Sequence, residues 1–292
     1  MKLFHVLLLL PFILSQDDSW LQYYPGPADK SEETYSKWFT DYESFCNGVR
    51  QTLDLSMYDV PEIQWARTSF IQPQVMVHDR FLYDRDSGNW TVKKYLADVR
   101  SRYGGIDSVL LWASYPNIGT DDRNQFDMLE DIPGGLEELR NVVNDFHEEG
   151  VEVLLPYNPW DQGTRFGLKT HNFPSSLNMT FRNVGIPDHE KLVDQIVQSG
   201  SDGFNGDTLD GVNQTFWEEG LLRNHPIVIE PEVLYSNFSY LAYNAMSWGY
   251  WTPGVREVPT KDVKNTRDFV TPYVAMYKAV TDGKHMTHLT ER

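Results

Sequence analysis

Acidic side chains stand at the ends of two apolar runs that we interpret as neighbouring strands. Asp207 ends the run 203–207, and Glu230 ends the run 227–230, with Glu232 two residues further on. Two carboxylates can cleave a glycosidic bond, one as nucleophile and one as proton donor, when they lie roughly 5 to 5.5 Å apart. Residues two apart on a strand point the same way, so Glu230 and Glu232 are both candidates for the donor, and Glu230 is narrowly the first choice. The alternative is that these acids cap the following helix or lie in solvated loops.

Aromatic and polar residues follow the other predicted strands as well. Pyranose rings stack their C–H faces on Trp and Tyr, while polar side chains hydrogen-bond to the hydroxyl groups. In parallel α/β folds the residues after each strand face the functional site. The predicted substrate-binding residues are Trp112, Tyr115, Tyr157, Asn158, Trp160, Asp161, Arg165 and Asp210. For the aromatic residues the alternative is a place in the core or at its rim, and for Arg165 it is an ion pair with an acid.

Short apolar runs alternate with amphipathic segments from residue 74 onwards, a pattern typical of βα units around a parallel sheet. The predicted strands are Gln74–His78, Ser108–Ala113, Val151–Pro156, Gly203–Asp207 and Ile227–Glu230. No Gly-rich phosphate loop follows the first strand, which favours a TIM-type (β/α) barrel over an open doubly wound sheet, the alternative fold. Residues 233–292 hold too few patterned segments to complete eight units, so we expect the barrel to be incomplete at the C-terminus.

Amphipathic segments predict helices over 91–103, from Gly135 to Gly150 and over 188–198, with a further helical turn around Trp217. A helix is also predicted near 32–49. It lies in a polar and aromatic stretch, 16–73, that we interpret as an N-terminal extension packed on the barrel domain, 74–292.

The segment Gly203-Phe204-Asn205-Gly206-Asp207 resembles the Gly-Phe-Arg-x-Asp strand that carries the nucleophile in the α-amylase-like glycoside hydrolases. The run 227–230 is similar to the strand that carries their acid/base Glu, and 153–158 resembles their third strand. The resemblance covers about residues 74 to 235 and implies a (β/α) barrel with Asp207 as nucleophile. The chain departs from the family at Asn205, where the family has Arg, and in having no later Asn-His-Asp segment.

The N-terminus is typical of a secretory signal peptide. Lys2 precedes an apolar run from Leu3 to Leu14 and a small residue at Ser15, so residues 1–15 form the predicted signal peptide. Glycosylation sequons also favour export, and they begin at Asn89, Asn178, Asn213 and Asn237. We therefore predict a secreted, extracellular glycoprotein.

Charge and cysteine content exclude several classes of protein. The formal net charge of -17 repels a phosphate backbone, so nucleic acid is not an expected partner, and neither is an anionic membrane. The leading apolar run is shorter than the ~20 residues that cross a bilayer, so no membrane span is expected. Cys46 is the one cysteine, so the fold has no internal disulfide. The sequence points to no particular oligomeric state.

Two segments carry residue types that bind metals. Asp121, Asp122, Asn124 and Asp127 offer oxygen ligands in one loop, but their spacing is not that of an EF-hand, and a solvated acidic loop is the preferred interpretation. His285 and His288 are a weak zinc signal without neighbouring ligands. No metal and no cofactor is predicted.

The leading hypothesis is a secreted glycoside hydrolase-like protein that acts on a carbohydrate through an Asp/Glu pair. The alternative is a non-catalytic extracellular protein that binds carbohydrate, or another small molecule or partner, on a degenerate barrel. A third is an enzyme of unrelated chemistry at the same barrel mouth, since fold does not fix function.

Overall fold

A parallel sheet lies at the centre of the part of the chain that the structure describes. The structure is a computed structural model, and it describes residues 31–115, 122–161, 187–233, 235, 237–250 and 276–290. In chain order, its strands are β1 (Gln74–Met76), β2 (Tyr83–Asp84), β3 (Asn89–Trp90), β4 (Ser108–Trp112), β5 (Glu152–Tyr157), β6 (Gly203–Gly206), β7 (Val228–Pro231), β8 (Met246–Tyr250) and β9 (Met286–Thr290).

The helices of the described residues lie between these strands and before the first of them. In chain order they are α1 (Glu32–Thr52), α2 (Val92–Tyr103), α3 (Gln125–Glu130), α4 (Gly135–Glu148), α5 (Asp188–Ser199) and α6 (Gln214–Leu222). Short 3-10 helices occupy Ser56–Asp59, Pro61–Thr68 and Phe238–Ala242, and a helical segment occupies 276–280.

The order of strands in the main sheet follows their order in the chain. Strands β1, β4, β5, β6 and β7 are hydrogen-bonded in that sequence, and all neighbours are parallel. The predicted parallel α/β arrangement is therefore confirmed, and the sheet lacks the reversal of order at which a doubly wound sheet changes direction.

A closed barrel is not formed among the described residues. Strands β8 and β9 pair with each other in parallel but share no ladder with the five-stranded sheet, although β8 packs beside β7. The predicted barrel thus has five consecutive strands in one sheet and a separate two-stranded pair.

The connecting helices form a layer beside the sheet. Helix α2 packs on α4, α4 on α5, and α5 on α6. The buried side chains of α4 recur at spacings of three and four, as in any helix with one apolar face; they are Leu139, Val142, Val143 and Phe146. Rings of the sheet and of this layer meet directly, with the centroids of Phe204 and Phe216 5.2 Å apart.

The N-terminal part of the described chain has its own contacts. Ser31 caps α1, and α1 buries Cys46 and Val49 against a cluster of residues from the far end of the chain. Those partners are Tyr235, Phe238, Leu241, Met276, Tyr277 and Val280. Within the described residues, α1 is the longest helix, and neither it nor any other helix there combines the length and apolarity needed to cross a bilayer.

Strands β6 and β7 come unusually close at Gly203. A Cβ atom built on Gly203 would lie 1.9 Å from the carbonyl oxygen of Val228, which is backbone and cannot turn aside. The absence of a side chain at Gly203 is therefore what permits the register of these two strands.

We predict that Gly203→Ala lowers the free energy of unfolding by about 1–3 kcal/mol or more, because the added methyl group forces the strands apart. Urea denaturation of the purified protein measures this change. The matched control is Gly48→Ala in α1, where a Cβ meets nothing within 4 Å. This control should be neutral or more stable by up to about 1 kcal/mol. Equal stability of wild type and Gly203→Ala would contradict the close approach.

Candidate active site

A cavity of about 750 Å³ lies against the inner face of the sheet, the face turned away from the helices. This volume is within the roughly 300–1,000 Å³ of ordinary small-molecule sites. Its lining includes Gln72, Trp112, Tyr115, Asn205, Asp207, Glu232, Trp248 and His288.

The register of β6 and β7 brings two carboxylates to this cavity. Asn205 pairs with Glu230 and Gly206 with Pro231, so the next position along places Asp207 opposite Glu232. The N–H of Glu232 donates to the carbonyl of Gly206 at 3.0 Å, which continues the pairing beyond the strand ends. Side chains alternate along a strand, so Asn205 and Asp207 share the cavity face of β6.

One oxygen of Asp207 is held by two donors. Tyr115 Oη donates to Asp207 Oδ2 at 2.8 Å, and Asn158 Nδ2 donates to the same atom at 2.6 Å. Asn158 is itself fixed, because its Oδ1 accepts from Ser114 Oγ and its N–H donates to Gln125 Oε1, both at 2.6 Å. No described residue donates to Asp207 Oδ1, so that oxygen is available to a group in the cavity.

Glu232 is positioned by the backbone that follows Asp207. The N–H of Thr208 donates to Oε2 of Glu232. Thr208 has a φ of 63°, in the left-handed region where a β-branched residue is strained. Such strain costs about 1–3 kcal/mol and persists where the surrounding contacts enforce it. Here it aims a backbone donor at a buried carboxylate beside Asp207.

Glu230 is fully buried and does not line the cavity. Its Oε2 accepts from Gln72 Nε2 at 2.6 Å and from Asn205 Nδ2 at 3.2 Å. Its Oε1 lies 2.5 Å from His288 Nδ1, and His288 Nε2 lies 2.7 Å from the carbonyl oxygen of Ser69. Three side chains from separate parts of the chain therefore converge on Glu230.

His288 is the cationic partner of this buried pair. Burial lowers the pKa of His288, but the charge of Glu230 and the hydrogen bonds to Glu230 and Ser69 more than offset this, so the pKa is raised. Both ring nitrogens face acceptors, which is the arrangement that suits an imidazolium ion.

The predicted aromatic residues divide between the cavity and the core. Trp112 and Tyr115 line the cavity, with ring centroids 4.7 Å apart. Trp160 is not part of the lining, although its centroid lies 6.5 Å from that of Tyr115. Tyr157 points to the helix layer, where its ring lies 5.2 Å from that of Phe216. The alternation of side chains along β5 explains why Asn158 reaches Asp207 and Tyr157 does not.

Two further predicted binding residues do not line the cavity. Asp161 and Asp210 are partly buried and do not line it. Asp161 instead takes part in a turn, its N–H donating to the carbonyl of Asn158 at 3.0 Å. Arg165 lies outside the described residues.

The residues considered for metal binding have other roles in the structure. Asn124 caps α3 in a reciprocal capping box with Asp127, and Asp121 lies outside the described residues. His285 Nδ1 lies 3.2 Å from Tyr58 Oη, and its Nε2 lies 3.0 Å from Ser247 Oγ. Complete burial lowers the pKa of His285 to about 3.

A separate titratable cluster lies at the opposite, amino-terminal end of the strands. His147, Glu152 and Asp202 each bring a side-chain atom within 4.8 Å of the others, a set of types that can hold a divalent cation. His147 Nε2 lies 2.8 Å from Asp202 Oδ2, and this hydrogen bond raises the pKa of His147. Burial, together with the charge of Asp202, raises the pKa of Glu152 to about 7.

Sequence reasoning missed several residues of the cavity lining, among them Gln72, Asn205 and His288. Gln72 lies two residues before Gln74, the first residue of β1. Residues two apart in an extended segment face the same side, and this spacing could have placed both side chains on the inner face. His288 was considered as a zinc ligand, whereas its partner is the carboxylate of Glu230.

The chain resembles solved structures of glycoside hydrolases, the class that its sequence motifs resemble. The cycloalternan-degrading enzyme from Trueperella pyogenes matches 85% of this chain and 41% of its own, with 13% identity and a TM-score of 0.49. A noncanonic maltogenic α-amylase from Thermotoga neapolitana matches 63% of this chain and 50% of its own, with 16% identity and a TM-score of 0.42. A maltogenic amylase from S. marinus matches 75% of this chain and 44% of its own, with 12% identity and a TM-score of 0.45.

The chain thus spans half or less of the length of these proteins. No family model and no curated protein matches the sequence. At these identities and TM-scores the likeness assigns no activity or substrate, and the proposal below rests on the cavity and its residues.

Proposed function

We propose that this chain is a glycoside hydrolase-like protein that cleaves or transfers a glycosyl unit, with Asp207 as nucleophile and Glu232 as proton donor. The observation that carries the proposal is that both carboxylates line one cavity from adjacent strands. Neighbouring strands lie about 4.8 Å apart, so side chains at paired positions on one face have roughly that separation. Two carboxylates roughly 5 to 5.5 Å apart are the arrangement of a glycosidase that retains anomeric configuration.

The hydrogen bonds of Asp207 support its role as the nucleophile. Tyr115 and Asn158 stabilise the ionised carboxylate through Oδ2, which leaves Oδ1 to attack the anomeric carbon. As the C–O bond to Oδ1 forms, the glycosidic bond breaks, and Glu232 gives its proton to the departing oxygen. Water then attacks the glycosyl ester, Glu232 takes its proton, and Asp207 is released as a carboxylate.

Glu230, the first choice from sequence, receives a different role in this proposal. It is buried, accepts from Gln72 and Asn205, and is paired with His288. Both of its oxygens are engaged by neighbouring side chains, which suits a fixed structural role better than that of a proton donor to a ligand in the cavity. Glu232 has the same facing on β7 and reaches the cavity, so we assign the donor to Glu232.

The fold that we propose for this activity is an incomplete (β/α) barrel. The five sheet strands follow chain order, and helices pack beside them in succession. His288 of β9 contacts the carbonyl of Ser69, in the segment that leads into β1. This contact brings the last described strand to the first, as a closing strand does in a barrel.

Asp207→Asn should lower turnover of a chromogenic glycoside by on the order of 10³-fold or more, because the amide keeps the shape but is not a nucleophile. A panel of chromogenic α- and β-glycosides of common hexoses provides the assay. Glu232→Gln should be nearly as impaired on substrates with poor leaving groups, but much less on 2,4-dinitrophenyl glycosides, whose leaving group needs no proton.

The matched controls are Asp98→Asn, on the surface of α2, and Glu218→Gln, on α6, and both should keep wild-type rates. Wild-type turnover in Asp207→Asn would refute the assignment of the nucleophile. Sugar binding without turnover by the wild-type protein would favour the alternative, a carbohydrate-binding protein on a degenerate barrel.

We further propose that the protein is secreted and glycosylated. The predicted signal peptide and the sequons support this. The sequon residues Asn89, Asn213 and Asn237 are exposed, and Asn178 lies outside the described residues. In two of them the side-chain oxygen is used locally, Asn213 capping α6 and Asn237 accepting from Ser239 N–H at 2.8 Å. These hydrogen bonds do not involve the amide nitrogen, where a glycan is attached.

Expression of the full chain in a eukaryotic secretory host should yield protein in the medium that starts at or near Gln16. Enzymatic removal of N-glycans should increase its electrophoretic mobility, and Asn→Gln at Asn89, Asn213 or Asn237 should each remove one mobility step. Retention in the cytosol, or an unchanged mobility after deglycosylation, would contradict the proposal.

A further inference from the structure

Two buried polar atoms of the cavity residues have no hydrogen-bond partner among the residues that the structure describes. Trp112 Nε1 is a donor and Asn205 Oδ1 is an acceptor, and both residues line the cavity that holds Asp207. Trp112 is 1% exposed and Asn205 is fully buried. Buried polar groups are normally paired, so each of these atoms indicates a group that the cavity is built to receive.

The orientation of the Asn205 amide is fixed by its neighbours. Its Nδ2 donates to Glu230 Oε2 at 3.2 Å, and turning the amide over would bring two acceptor oxygens together. Glu230 is held as an acceptor by Gln72 Nε2 and by His288 Nδ1 on its other oxygen. The buried pair of Glu230 and His288 therefore keeps Asn205 Oδ1 as an acceptor for the cavity.

A hydroxyl group matches this combination, because it can accept from an indole N–H and donate to an amide oxygen. The charge of the described lining further restricts the ligand. Asp207 and Glu232 are acidic, and the cavity lining formed by the described residues contains no Lys or Arg. The one histidine of that lining, His288, is paired with the buried carboxylate of Glu230, which balances its charge. An anionic sugar would meet repulsion from these carboxylates, whereas an uncharged sugar would not.

We infer that Trp112 Nε1 and Asn205 Oδ1 bind hydroxyl groups of an uncharged sugar unit, one accepting from Trp112 and one donating to Asn205. This inference rests on the proposed function, since it names the class of sugar that the cavity presents to Asp207. Trp112 and Asn205 bind the sugar directly, and Glu230 acts as a positioning residue through Asn205.

The test is a set of binding measurements with named probes. Methyl α- and β-glycosides of glucose, galactose and mannose, their 2-, 3-, 4- and 6-deoxy derivatives, and methyl glucuronide are titrated into the wild-type protein, with saturation-transfer NMR and calorimetry as readouts. A site that loses one hydrogen bond to a buried partner should bind about 10- to 100-fold more weakly. We expect an uncharged glycoside to bind, a specific deoxy derivative to lose this factor, and the glucuronide to bind at least about 10-fold more weakly.

The variants Trp112→Phe and Asn205→Leu remove one polar function each while keeping an apolar side chain. Each variant should weaken binding of the parent glycoside by a similar factor. In each variant, one deoxy derivative should then bind as tightly as its parent glycoside, because the hydroxyl it lacks no longer has a partner. A merely structural defect would not remove the difference between one deoxy derivative and its parent. Glu230→Gln should reduce the difference in affinity between the parent glycoside and the deoxy derivative that Asn205 distinguishes. The amide of Asn205 can then turn over, because its partner is no longer an acceptor only. The matched control is Trp65→Phe, which removes a buried unpartnered N–H outside the cavity and should leave discrimination unchanged.

Several results would overturn the inference: deoxy penalties that persist in both variants, a glucuronide that binds as tightly as the glucoside, or no saturable binding of any uncharged glycoside. Binding does not depend on turnover, so the two proposals fail separately. If the loss of affinity caused by one deoxy position depends on Trp112 or Asn205, but the protein hydrolyses no glycoside, the inference is sustained and the catalytic proposal is refuted. If hydrolysis depends on Asp207, but no deoxy penalty depends on Trp112 or Asn205, the catalytic proposal is sustained and the inference is refuted.

Discussion

The parallel pairing of β6 with β7 is the constraint on which the candidate site depends. Gly203 lets the strands approach, and their register then sets Asp207 opposite Glu232 on one face. A shift of one residue would turn one of these carboxylates towards the helix layer, because side chains alternate along a strand. The strained backbone at Thr208 continues the arrangement past the strand ends by donating to Glu232. Local geometry at one strand pair thus determines what the cavity can do.

The candidate site also depends on the buried pair of Glu230 and His288. Burying Glu230 and His288 is costly unless each finds partners, and between them they use contacts to Gln72, Asn205 and Ser69. These contacts join the segment before β1 to β6 and β7, and they tie β9, which shares no ladder with the main sheet, to the same network. The same contacts fix the orientation of the Asn205 amide. The hydrogen bonds that stabilise the buried pair thus also orient the group that we propose for binding a sugar hydroxyl.

Much of the fold could be predicted from local patterns. The buried side chains of α4 have a helical period, and Gly200 is an end signal after α5. The five strands of the main sheet are predicted to within about two residues. The hairpin of β2 and β3 was missed because strands of two residues have no period to detect. The choice between Glu230 and Glu232 was beyond the sequence, since Gln72 and His288 lie 158 and 58 residues from Glu230. Tyr157 points to the helix layer because neighbouring residues of a strand face opposite sides of the sheet, so Tyr157 and Asn158 do not share the cavity face.

The proposed function requires that Asp207 forms a bond to the anomeric carbon of a sugar. The most direct test is to incubate the wild-type protein with 2-deoxy-2-fluoroglycosyl fluorides of the hexose series and to measure its mass intact and after digestion. Fluoride leaves without a proton, and the neighbouring fluorine slows hydrolysis of the ester that forms. The account predicts one fluoroglycosyl group per chain, carried by the peptide that contains Asp207. A label on Glu230, Glu232 or another residue, or no label in a preparation that hydrolyses glycosides, would contradict it.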